Sequence, residues 1–204
     1  AAIQTLEYET NYAIYNSLVQ VDSDTYALAY TDIDGDGFIS TFTISTDGST
    51  ITKIMTLEHD TADAIYNSLV KVDSDTYALA YTGTNGDGFI STFTIPANGS
   101  GIQKVEKIKH DTDATYNSLV QVDSDTYALA YTGAGNDGLI QTFTLSSASS
   151  NSGGGGGNDC DSNGFGNSNS LRVYEISYDI DTYEVQVQAY STCGSISAKM
   201  TTPM

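Results

Sequence analysis

The chain has no tryptophan, two prolines, two cysteines and seven lysines plus arginines in 204 residues. Each shortage excludes something. Two cysteines, Cys160 and Cys193, cannot build a zinc site alone, and no CxxC pair is present. Seven basic residues against 26 acidic ones leave a net charge of -19, which repels nucleic acid and anionic headgroups and favours cations. No apolar run reaches the roughly 18 residues of a membrane span. No G-x-S-x-G, H-E-x-x-H or phosphate-loop pattern occurs, and the run of glycines at 153–157 lacks the lysine and following helix that a phosphate cradle needs. The expectation is therefore a protein that is not an enzyme, with no nucleic-acid partner and no membrane span.

What is present is repetition. YNSLVQVDSDTYALAYTDIDGDGFISTFTI at Tyr15–Ile44 returns at Tyr66–Ile95 and again at Tyr116–Leu145. Tyr66 lies 51 positions after Tyr15, and Tyr116 lies 50 after Tyr66. A period of this size means a repeat architecture. Hydrophobic residues make up 39% of the chain, enough for a core.

Each repeat carries four strand signals, in the second copy Asn67–Val72, Thr76–Thr82, Phe89–Ile95 and Ile102–His110. Asp73-Ser74-Asp75 makes the first turn through side chains that bond nearby amides, and Gly83–Gly88 makes the second. In TYALAYT, Tyr77, Leu79 and Tyr81 share one face and Ala78 and Ala80 the other. Both faces are apolar, one large and one small. Such a sheet is covered on both sides, and stacked copies achieve this when the bulky face of one packs on the small face of the next.

Four short antiparallel strands per fifty residues, packed on copies of themselves, resemble a β-propeller blade. The resemblance covers residues 1–145 as architecture. It implies an all-β fold of antiparallel four-stranded propeller-like blades with a short β-strand C-terminal tail. Ala1–Glu9 aligns with the fourth strand of a repeat, whereas the third repeat stops after its third strand at Leu145. Ile3–Tyr8 is thus expected to complete the third repeat, of this chain or of a neighbouring copy. Three blades are too few for a normal ring, so the expectation is closure as a homo-oligomer, membership of a longer protein, or open stacking into a fibre, with a homo-oligomer or filament as partner.

Residues 146–170 are mostly Ser, Gly and Asn, a linker composition. In 171–204 further strand signals follow. The run Tyr183–Ala189, Cys193-Gly194-Ser195 and Thr201-Thr202-Pro203 is similar to the end of a fibronectin type III module. So short a tail is expected to pair with the repeats or with another subunit by strand addition. Cys160 and Cys193 read either as buried thiols or as one disulfide tying the connector to the last hairpin, the extracellular look of the chain favouring the disulfide. The small-residue start at Ala1-Ala2 fits a chain cleaved for secretion.

Three clusters carry candidate chemistry. Asp32, Asp34 and Asp36 resemble the opening of a calcium loop, where alternating carboxylates on a glycine-broken turn converge on Ca²⁺; the closing acid is missing, since Thr43 and Ser40 stand where one is expected. A capped hairpin turn is the competing reading. Tyr15-Asn16, Tyr66-Asn67 and Tyr116-Asn117 combine an aromatic face with amide donors, as sugar sites do, or else pack between blades. His59 and His110 occupy equivalent positions that Tyr8 fills in the first copy, which favours aromatic packing over metal binding. The functional expectation is a secreted or cell-surface structural or adhesive protein that self-assembles by strand exchange or blade stacking; the alternative is a lectin-like propeller that binds glycans.

Overall fold

The computed structural model describes residues 2–145 and the backbone of three strands within 173–201. Cys160, Cys193 and the linker lie outside the described residues. The strands are β1 (Ile14–Gln20), β2 (Thr25–Thr31), β3 (Gly37–Ile44), β4 (Ile51–Asp60), β5 (Ile65–Lys71), β6 (Thr76–Thr82), β7 (Gly88–Thr94), β8 (Gln103–Asp111), β9 (Thr115–Gln121), β10 (Thr126–Thr132), β11 (Gly138–Leu145), β12 (Val173–Asp179), β13 (Glu184–Ser191) and β14 (Gly194–Thr201). Two sheets have four strands in the order β1-β2-β3-β4 and β5-β6-β7-β8, and a third runs β14-β13-β12-β11-β10-β9. The fold is all-β and antiparallel. By contacts the chain divides into Ala1–Val120 with Leu129–Ile140, and Gln121–Ala128 with Gln141–Met204.

The turns follow the side-chain chemistry of the sequence. Asp73 Oδ1 accepts from the amides of Asp75 and Thr76 at 3.1 and 3.0 Å, which closes the β5–β6 hairpin. Gly83–Gly88 contains a single 3-10 turn, Thr84–Gly86, with Asn85 and Gly86 at positive φ. Thr-Tyr-Ala-Leu-Ala-Tyr-Thr forms β2, β6 and β10 in turn, and β6 is buried along its whole length.

The bulky and small faces meet as the alternation requires. One cluster joins Val21, Ala27, Ala29 and Ile39 of the first sheet to Leu69, Tyr77, Leu79, Tyr81 and Phe93 of the second. Burying each large side chain is worth roughly 1.5–3 kcal/mol, so this layer is the main source of cohesion. The alanines keep the backbones close enough for the tyrosines to span the gap.

The N-terminal segment departs from the expectation that it completes the third repeat of its own chain. Among the described residues, none between Ala2 and Ala13 lies in a strand or makes a backbone–backbone hydrogen bond. Leu6, Tyr8 and Ala13 pack instead on Leu28, Tyr30 and Phe42 of the first sheet. The edge of β11 is met by β12, but only over Phe143–Leu145.

Candidate functional site: the inter-repeat face and its open ends

The residues repeated three times build the surface where one repeat meets the next. Thr31 Oγ1 donates to the Ala64 carbonyl, and Thr82 Oγ1 to that of Ala114. Asn67 Nδ2 donates to Thr31 Oγ1 at 3.0 Å, and Asn117 Nδ2 to Thr82 Oγ1 at 3.1 Å. The Leu69 amide donates to Ser17 Oγ and the Leu119 amide to Ser68 Oγ, both at 2.9 Å. The amides of Ala64 and Ala114 donate to the carbonyls of Gly35 and Gly86 at 2.9 Å each. One joint is therefore made twice with the same atoms.

The tyrosines singled out from the sequence form a column along this joint. The ring centroids of Tyr15 and Tyr66 are 4.5 Å apart, and those of Tyr66 and Tyr116 4.3 Å. Tyr15, Tyr66 and Tyr116 all have left-handed backbone, φ 53, 56 and 55°. Register shifts between Ile14 and Ser17 and between Ile65 and Ser68 mark bulges that re-aim these rings. A bulky residue in this region is strained and persists only when its surroundings hold it. Hydrogen bonding of the Tyr66 hydroxyl with Tyr116 and Tyr15, followed by some burial, favours the neutral phenol and raises the Tyr66 pKa. Asn16 accepts from the Tyr8 hydroxyl at 2.6 Å, while Asn67 and Asn117 point their amides at threonines of the preceding repeat. The Tyr-Asn positions thus come together as a repeat-to-repeat joint, with Tyr66 flanked on both sides.

His59 packs edge-on against Tyr81 and Phe93, at 5.3 and 5.6 Å. Burial first, and then nearby Lys104, pushes its pKa down to about 3. Lys104 Nζ donates to the His59 carbonyl at 2.8 Å. Tyr8 makes the same set of contacts one repeat earlier: its ring meets Tyr30 and Phe42 at 5.2 and 5.9 Å, and Lys53 Nζ donates to its carbonyl at 3.2 Å. Aromatic packing is what this position does.

In the loop of the first repeat, Asp32 Oδ1 accepts from the amides of Asp34 and Asp36, at 2.9 and 3.0 Å. This is the geometry of a capped turn. Burial, then the charges of Asp32 and Asp34, raise the Asp36 pKa. Among the described residues no three His, Cys, Asp or Glu side chains converge as metal ligands.

The signal that sequence reasoning missed is the contrast between equivalent positions at the ends of the stack. Leu69 and Leu119 are 5% and 3% exposed, but Leu18 is 58% exposed. At the other end Ile39 and Ile90 are 0% and 1% exposed, but Ile140 is 78% exposed. Ala130 is exposed where Ala29 and Ala80 are fully buried. Around Leu18 an apolar groove of about 130 Å³ is lined by Leu6, Tyr8, Leu28, Phe42 and Ile51. The glycine that opens the third strand of each repeat tells the same story. A Cβ on Gly37 would lie 2.5 Å from the Ala64 Cβ and 2.6 Å from the His59 ring; on Gly88 it would lie 2.5 Å from both the Ala114 Cβ and the His110 ring; on Gly138 it would meet nothing within 4 Å. Among the described residues, nothing fills at Gly138 the space that His59 and Ala64 fill at Gly37 and that His110 and Ala114 fill at Gly88.

No described helix is long and apolar enough to cross a membrane. No protein-family model and no curated protein matches the sequence. Among solved structures, the periplasmic gluconolactonase PpgL of Pseudomonas aeruginosa is similar, with TM-score 0.49 and 12% identity over 86% of this chain and 64% of its own. A mutant of AofleA from Arthrobotrys oligospora has TM-score 0.42 and 12% identity over 91% and 55%. Sqt1 of Chaetomium thermophilum has TM-score 0.40 and 14% identity over 84% and 42%. This chain therefore spans less than two thirds of each of these proteins, and at such identities none of them carries its activity over.

Proposed function

We propose that this chain is a structural or adhesive repeat protein of the extracellular or cell-surface space, whose copies join head to tail through the same joint that links its own repeats. The observation that carries this reading is the pair of open faces. The Leu18 end is the face that repeats two and three bury, and the Ile140 end is the face that repeats one and two bury. Because the sequences are nearly the same, the last repeat of one copy fits the first repeat of another as repeat one fits repeat two. Tyr116 would stack on Tyr15 and Ser118 would receive the Leu18 amide, each contact having two precedents within the chain. Heterologous contacts of this kind close into a ring if the rotation allows and otherwise extend into a filament. The fibronectin-like likeness of the tail belongs to the same reading. Pairing of β12 with β11 over Phe143–Leu145 supports an appendage that works by strand addition.

A glycan-binding module is the second reading, favoured by the 65% exposure of Tyr116 at the free end of the column. Size-exclusion chromatography with light scattering, over a range of concentrations, separates the two. The assembly reading requires masses that are multiples of 21.7 kDa and a Leu18→Asp variant that stays monomeric. A wild-type chain that is monomeric at every concentration, and that binds a glycan array, would replace it by the second.

A further inference from the structure

We propose that residues Gln4–Glu9 are a donor strand, poised on the first repeat to pair with the part of β11 in a second copy that β12 leaves open. This rests on the head-to-tail reading and adds the element that crosses between copies.

The segment stands where a fourth strand stands. Thr5-Leu6-Glu7-Tyr8-Glu9 corresponds to Thr56-Leu57-Glu58-His59-Asp60 of β4. Its side chains hold the first repeat as β4 holds the second: Tyr8 on Tyr30 and Phe42 repeats His59 on Tyr81 and Phe93, and Lys53 on the Tyr8 carbonyl repeats Lys104 on the His59 carbonyl. Yet its backbone makes none of the ladder bonds that β4 makes with β3. A strand with its side chains seated and its peptide groups in no ladder lacks only the three strands beside it.

The acceptor is equally specific. Between Gly138 and Ile140, β11 is not paired with β12, whose register begins at Phe143. In the two complete repeats the register is the same: Phe38 faces Glu58 and Ile39 faces Leu57, while Phe89 faces Lys109 and Ile90 faces Ile108. Carried to the third sheet, Leu139 faces Glu7 and Ile140 faces Leu6 of the incoming copy. The empty space at Gly138 then receives the Tyr8 ring and the Ala13 methyl, as Gly37 receives His59 and Ala64. Continuing the same chain, Ala13 takes the place of Ala64 and Tyr15 that of Tyr66. The occupant argued for is a second copy, because Thr5–Glu9 carries the fourth-strand sequence in this phase.

The test labels one partner. A photoactivatable benzophenone amino acid is placed at position 7 of unlabelled chain, mixed with nitrogen-15-labelled wild type, irradiated, and the cross-linked peptides are read by mass spectrometry. The expected result is a cross-link to the labelled peptide that contains Leu139. A mixture that assembles by light scattering but cross-links elsewhere, or only within the unlabelled chain, overturns the donor strand and leaves face stacking intact. A mixture that stays monomeric overturns both. A second variant guards against misfolding. Gly138→Ala meets no neighbour among the described residues, so its melting temperature as a monomer is expected to be unchanged, while self-association weakens by about tenfold or more. Association at wild-type strength in that variant overturns the proposal.

Discussion

At the scale of single residues the fold turns on positions whose meaning changes with what stands beside them. His59 is buried with neither ring nitrogen bonded, enclosed by Tyr81 and Phe93, with Lys104, Lys107 and Asp60 the charged groups that act on it. Its folded pKa, about 3, lies below the ordinary 6.5. Above pH 6.5 the imidazole is neutral in folded and unfolded chains alike, and nothing is lost. Below it the unfolded chain takes up a proton that the folded chain refuses, so stability declines until the folded value is reached, by at most roughly 1.4 kcal/mol per pH unit. His59→Phe is expected to flatten this part of the acid dependence, read as melting temperature between pH 7 and 3.5. An unaltered slope would mean that the imidazole is not what the acid attacks. The neighbouring fact that Tyr8 fills this position in the first copy was legible in the sequence as an aromatic substitution. The left-handed backbone of Tyr15, Tyr66 and Tyr116 was not, because tyrosine has no preference for it and only the bulge and the neighbouring rings hold it there.

At the scale of elements, the strands and turns of a repeat could be read in advance, because large and small side chains alternate and Asp and Gly mark the turns. The boundaries followed: Thr76–Thr82 is the strand expected, and the others shift by a residue or two. What could not be read was which element touches which end. The N-terminal segment has the sequence of a fourth strand, but whether it pairs depends on a partner sheet, and sequence periodicity contains no information about that. The leucine at the third position after each column tyrosine separates the two situations. Leu69→Ala removes a side chain sealed between sheets and is expected to destabilise the fold by about 2–5 kcal/mol. Leu18→Ala, the same change in the same motif, is expected to cost well under ~1 kcal/mol in the monomer and to act on assembly alone. Denaturant unfolding at low protein concentration measures both; equal losses would show that the Leu18 face is already covered.

At the scale of the whole molecule, a net charge of -19 opposes any contact between copies. Only seven lysines and arginines are available to offset it, and two of them are held in ion pairs, Lys107–Asp60 between the first two sheets and Lys109–Asp87 within the second repeat. Self-association through apolar faces on so acidic a chain must therefore strengthen with salt. Raising the ionic strength from about 0.01 to about 0.15 M shortens the screening length from about 30 to about 8 Å and is expected to shift the distribution toward larger species in sedimentation velocity. Dissociation by salt would point instead to a joint made of opposite charges.

The equivalence of the joints has a consequence for heredity. Since the surface at Leu18 belongs to whichever repeat comes first, and the one at Ile140 to whichever comes last, neither depends on how many repeats lie between. Unequal recombination among the segments that encode the repeats would lengthen or shorten the chain by whole modules and leave both end faces of the repeat stack unaltered. If copies join head to tail as proposed, products of two or four modules would interlock with this one, so that size variants within a population would remain mutually compatible.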